Sequence, residues 1–319
     1  MHFLDHLLGR DHDPDEPGLD EAVERAVTRV EPLLRQVGGY PGSYRAPVSA
    51  ALMHARSLAA ALPAPVPIDC DTYAADPLVR ALFPSRDFVL DALSSSHAMR
   101  DYLREHPGSG EAYALMGMRR CEKVMLGMEL SGEMIRREVP QHVVFFTGHT
   151  VENLAPTEPQ AREEIAWRFF DRLLDKVVDR VELRRKEKQS QLLEKDVLMA
   201  RLHGAAPAER MVLEERLGKL IDELQTTIDS LGLDKYVADF AAVLLDPGQH
   251  LRLEQTTLVL DSMGIRREHD AANPGKAVVF NDLVGLDRRV WTVTLVHCRN
   301  LRDESMAERL QNATRRLVI

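Results

Sequence analysis

Aromatic side chains make up only 5% of the 319 residues, so aliphatic and methionine side chains must supply most of any core. Cysteine is rarer still. Cys70, Cys121 and Cys298 are too few and too scattered for a disulfide framework, and their odd number fits reduced thiols in the cytoplasm. Long apolar runs are missing as well. The longest are five or six residues, as in Ser57–Leu62, against the roughly 20 that cross a bilayer. The N-terminus, Met1-His-Phe-Leu-Asp-His-Leu-Leu, lacks the basic region and the small-residue cleavage site of a secretory signal. These absences predict a cytoplasmic protein with no transmembrane segment. A formal charge of −9 opposes a polyanionic partner unless basic residues cluster, so nucleic acid is not the expected ligand. Neither GxxxxGK[ST], GxGxxG after a strand, GxSxG nor HExxH occurs, and no cofactor is implied.

What is present divides the chain into five segments. Residues 1–19 form a flexible N-terminal segment, because Asp11-His-Asp-Pro-Asp-Glu-Pro-Gly combines helix breakers with clustered charge. Residues 20–118 read as a helical cluster. Val23, Ala26, Val27, Val30, Leu33, Leu34 and Val37 recur at helical spacing behind Asp20 as a cap, with Pro32 set to kink or split the helix. A second helix opens at Pro47, and Pro63, Pro65 and Pro67 impose an extended strut. Short helices follow, with starts at Asp76-Pro77, Ser85 and Ser95 or Ser96, and a last one over Glu111–Met118. Residues 119–156 read as a β segment, with Val124, Leu126, Met128 and Leu130 alternating on one face and Val143-Val144-Phe145-Phe146 rich in strand formers.

Residues 157–232 carry the clearest pattern. From Thr157-Glu158-Pro159 to His203 no Pro or Gly interrupts about 45 residues, a helix of roughly 65–70 Å at ~1.5 Å per residue. Gly204-Ala-Ala-Pro207 turns the chain, and Leu213, Leu217, Leu220, Leu224, Ile228 and Leu231 continue in threes and fours. Folding back about residue 205 places Leu193 near Leu217 and Val197 near Leu213, a coiled-coil hairpin. Residues 233–319 give a helix over Leu233–Leu245, strands over Leu251–Leu260, Ala277–Leu283 and Val290–Cys298, and a terminal helix from about Asp303 to Leu317. The two β segments are expected to share one core. The fold class is therefore α+β: a helical cluster, small antiparallel β segments flanking a long helical hairpin, and a C-terminal helix.

Candidate chemistry is thin. His2 and His6 share a face if helical and are the weak metal candidates, but the stretch is terminal and Gly-interrupted. His149 in Thr147-Gly148-His149-Thr150, with Glu152 beyond it and His142 before it, is the weak catalytic candidate; no nucleophile motif accompanies it. His297 and Cys298 are adjacent on a strand, so they point to opposite faces. Arg180–Lys195 is net basic yet mixed in sign, as a solvated helix face is. Tyr40–Pro47, with Arg45, makes a turn more readily than a recognition loop. The leading functional expectation is a non-enzymatic scaffold, adaptor or regulator. Its hairpin presents Leu198, Met199, Met211 and Val212 to a protein partner or to a second copy, because the apolar stripe there is wider than one seam. The alternative is an enzyme or small-ligand sensor with a histidine site at the β segments.

Overall fold

The computed structural model describes residues 18–37, 39–69, 71–94, 96–131, 134–267, 275–285 and 290–301. The chain forms a mixed α+β fold with two compact units, one of Met1–Ala55 and Phe169–His250, the other of Arg56–Arg168 and Leu251–Ile319. The expected terminal helix, the N-terminal segment with His2 and His6, and Cys70 fall outside the described residues.

The first unit is helical. Helix α1 (Leu19–Val30) starts behind Gly18, whose φ of 81° is open to glycine, and Asp20 lies in its first turn rather than capping it. Its buried stripe is Leu19, Ala22, Val23, Ala26, Val27 and Val30. Pro32 does split the helix: a 3-10 turn, Pro32–Gln36, follows an extended Glu31. Helix α2 (Gly42–Ala61) begins before Pro47 rather than at it. Tyr44 in its first turn is buried, donates to the Leu34 and Val37 carbonyls at 3.1 and 3.2 Å, and sets its ring edge-on to Phe240 at 5.3 Å. Arg25 grips the buried Asp171 carboxylate with two bonds of 2.7 Å.

Helices α7 (Glu158–Gly204) and α8 (Pro207–Asp229) are long and adjacent. Leu198, Leu213 and Leu220 are buried together with Leu202, Ala205 and Leu217 packed on them, and Arg216 reaches Glu194 at 2.8 Å. Leu193 and Val197, expected in this seam, are instead 63% and 59% exposed. The reason is phase. From Val181 the inward positions run in threes and fours through Arg184, Lys188, Gln191 and Lys195 to Leu198, the less exposed residues of this stretch. The seam keeps its rotation through polar side chains, whereas the apolar residues alone suggest a stripe one position out. Helices α9 (Leu233–Leu244) and α10 (Pro247–His250) complete the unit.

The second unit is built on one six-stranded sheet. Strands β2 (Glu111–Ser131), β3 (Met134–Ala155), β4 (Leu251–Leu260), β5 (Lys276–Gly285) and β6 (Val290–Arg299) take the order β3-β2-β6-β5-β4, all antiparallel, and the short β1 (Val66–Ile68) runs parallel to β6. Residues before and after α7 and α8 thus pair in a single sheet, with Glu111 beside Arg299 and Met118 beside Thr292.

The helix expected over Glu111–Met118 is the first third of β2. Ala112, Ala114, Met116 and Met118 are all fully buried, a period of two that the helix-favouring Ala and Met side chains disguise. Nor are the strands small, since β2 and β3 run 21 and 22 residues.

Short helices α3 (Thr72–Ala75), α4 (Pro77–Leu82), α5 (Arg86–Ser94) and α6 (His97–Glu105) belong to this unit. Their Val79, Leu82, Val89 and Met99 join one core with Met116, Val144, Phe146, Leu258, Phe280 and Val296. Asp76 caps α4 through the Leu78 amide at 2.7 Å, and Ser96 caps α6 through that of Met99 at 3.3 Å. The 261–267 turn ties β4 to β3: Val144 donates to Gly264 O, Arg266 to His142 O and Arg267 to Val259 O, each at 2.8 Å. Gly264 is required there, with φ of 75° and the Val144 carbonyl 2.7 Å from where a Cβ would stand.

Candidate functional site

His149, the candidate catalytic histidine, packs against aromatic rings, with its Nδ1 buried and without a hydrogen-bond partner. Gly148 (φ 66°) lies where the β2–β3 register shifts and turns His149 to the core face, where its ring stacks on Phe83 at 5.0 Å and meets Phe88 edge-on at 5.2 Å. Its Nε2 lies 2.8 Å from the Leu82 carbonyl, so Nε2 carries the hydrogen of a neutral ring, and burial depresses the pKa below the ordinary imidazole value. Glu152 turns to the other face and pairs with Arg168 at 3.0 Å. His142 is exposed. Among the described residues the three share no hydrogen-bond or ion-pair partner.

Two polar clusters stand in the sheet; of their members the sequence pointed only to His297, a candidate with His142 and His149 for the alternative histidine site. Asp282, 3% exposed, accepts from Arg120 Nη1 at 2.8 Å and from the hydroxyls of Thr256 and Thr292 at 2.7 Å each. These bonds satisfy the carboxylate where it stands and tie β2, β4, β5 and β6 together. A carboxylate in the strand Lys276–Gly285 was the available signal. The other cluster lies on the outer face, where His297 Nε2 meets Glu111 at 2.7 Å and its ring lies flat on Tyr113 at 4.3 Å. Its neighbour Cys298 points into the core, where burial pushes the thiol up to about 12. Among the described residues no group of three or more His, Cys, Asp or Glu is arranged to hold a metal ion. None of their helices is long and apolar enough to cross a membrane.

The basic stretch Arg180–Lys195 is engaged within its unit. Arg184 reaches Asp239 at 2.5 Å, and Arg185 pairs with Glu31 and Glu182 at 2.9 and 2.8 Å. Just before α2 Tyr40 bonds Glu24, and in the first turn of α2 Arg45 bonds Asp20.

The apolar residues of α7 and α8 split in two. Leu198 is buried in the seam, which leaves it no surface for another chain. Met199, Met211 and Val212 are exposed, the last two by 71% and 64%. Leu193, Val197 and Ile221 join them on the outside of the same two helices. No protein-family model, curated protein or solved structure matches the chain.

Proposed function

We propose that this is a cytoplasmic, non-enzymatic scaffold or adaptor whose α7–α8 pair acts as a coiled-coil hairpin and docks another protein chain. One observation carries the reading. The seam between the helices is already filled by Leu198, Leu213 and Leu220, yet Leu193, Val197, Met199, Met211, Val212 and Ile221 remain in water beside it. Six large apolar side chains on one helix pair exceed what scattered surface residues explain, and a docked helix or groove covers residues flanking a filled seam in this way. The Asp282 and His297 clusters of the sheet, by contrast, are each matched internally rather than aimed at a common point.

The test is a photo-crosslinking residue at position 211 in the full chain. Crosslinks to one discrete protein chain are expected, and M199E/V212E should abolish them while helix content stays at the wild-type level. A wild-type protein that crosslinks to nothing from that position, in lysate or purified, refutes the proposal.

A further inference from the structure

The core-facing side of the sheet does not end where its covering helices end. Even-numbered residues of β2 lie on that side. Ala112, Ala114, Met116 and Met118 are buried, and Arg120 closes the row by bonding Asp282. Beyond Met118 the pairing with β6 ends, and among the described residues β2 continues with β3 alone as a two-stranded ribbon through Ser131 and Met134. The same side of the ribbon carries Val124, Leu126 and Met128, with Ile135 beside them by its pairing opposite Leu130. Their exposures are 55%, 70%, 67% and 66%. This is the core face of a sheet, prolonged past its cover.

An isolated two-stranded ribbon is marginal in water, so such a strip needs a partner. The β3 edge of the ribbon is a poor template for strand addition. Pro140 has no N–H to give, Glu138 (φ 58°) sits at a register irregularity, and His142 O and Val144 N are taken by the 264–266 turn. The apolar strip itself lies on the face.

We infer that this face stacks on the same face of a second copy, a two-fold ribbon-on-ribbon sandwich with the strips interleaved at about 10 Å. Charge does not oppose a copy of itself. Residues 122–142 hold three basic side chains against four acidic ones, so two ribbons meet nearly neutral although each chain carries −9. Area agrees. The four strip side chains expose on the order of 400 Å² per copy, already the size of patch that marks a binding site. Specific interfaces bury about 800 Å² per partner, so the strip supplies roughly half of that and the polar residues flanking it on the same face must supply the rest. The inference is independent of the α7–α8 docking proposed above.

Sedimentation of the full chain and a photo-crosslinking residue at position 126 test it together. Wild type should sediment as a dimer, L126E/M128E as a monomer with unchanged tryptophan fluorescence, and M199E/V212E as a dimer still. The crosslinked peptides should both derive from residues 122–142. If the double glutamate variant fails to fold, the crosslink map decides alone. A monomeric wild type, a dimer that survives L126E/M128E, or crosslinks from position 126 to any other region or protein overturns the inference.

Discussion

Replacing Asp282 by alanine should destabilise the sheet unit by about 4 kcal/mol. The carboxylate is buried, and its three partners come from three other strands: Arg120 on β2, Thr256 on β4 and Thr292 on β6. Removing it leaves the Arg120 guanidinium, 19% exposed, without its counter-charge, and takes the acceptor from both hydroxyls. Breaking a buried ion pair from one side costs about 3–5 kcal/mol, and each orphaned hydroxyl adds on the order of 1 kcal/mol where water cannot reach it. The sum stays near the middle of that range because the guanidinium retains some access to water. The assay is urea unfolding followed by tryptophan fluorescence. Trp167 and Trp291, the two tryptophans of the chain, both belong to this unit, so the signal reports it alone. With a slope of about 2 kcal/mol per molar, the midpoint should fall by about 2 M. Asp282→Asn keeps acceptor capacity for the hydroxyls but not the charge, and should fall about half as far. The pair R120M/D282L, which removes both charges, should recover most of the loss. A midpoint shift of less than about 0.5 M in Asp282→Ala would refute the assignment of this cluster as the tie between strands.

Leu198→Ala should cost the α7–α8 pair about 2–3 kcal/mol, the low end for a buried leucine because its cluster is small; helix circular dichroism should melt earlier while the tryptophan midpoint stays in place. Leu193→Ala should leave both signals alone. For His149 the folded pKa lies below the ordinary 6.5, so the unfolded chain takes up a proton that the folded chain refuses. The sheet unit should therefore lose stability as pH falls below 6.5, levelling off once the folded pKa is passed. His149→Phe should flatten that part of the profile when tryptophan midpoints are compared across pH, and an unchanged slope would show that other groups set it. Cys298, buried with its pKa at about 12, should resist iodoacetamide at pH 8 until the sheet unit unfolds. Cys121, partly exposed, should react in the native state, and peptide mass spectrometry separates the two.

Much of the fold was legible because long segments repeat one period. The span without Pro or Gly after Thr157 gives α7 nearly to the residue, and Gly204–Pro207 marks the turn into α8. Strand β4 coincides with its expected limits. Reading failed where side-chain identity and spacing disagreed. Glu111–Met118 has helix-favouring residues on a strand's period, and the period wins because each even residue is buried against the core. The α7 seam crosses lysines and arginines whose stems occupy inward positions, so hydropathy alone misplaces Leu193 and Val197. His149 stood out by type and motif, but its role as a ring between Phe83 and Phe88 depends on α4 and α5, some sixty residues away in sequence.

The pairing of Glu111 with Arg299 has a consequence for synthesis. Strands β2 and β3 leave the ribosome as a finished hairpin, but β4, β5 and β6 follow only after the whole of α7 through α10 has been made. At 5–20 residues per second the core face of that hairpin waits on the order of ten seconds for its neighbours. Helices α4–α6, made first, cover part of that face, but Phe146 and its neighbours lack Phe280 and Val296 until β5 and β6 emerge, so this core is least complete, and most open to aggregation and chaperone capture, on the nascent chain.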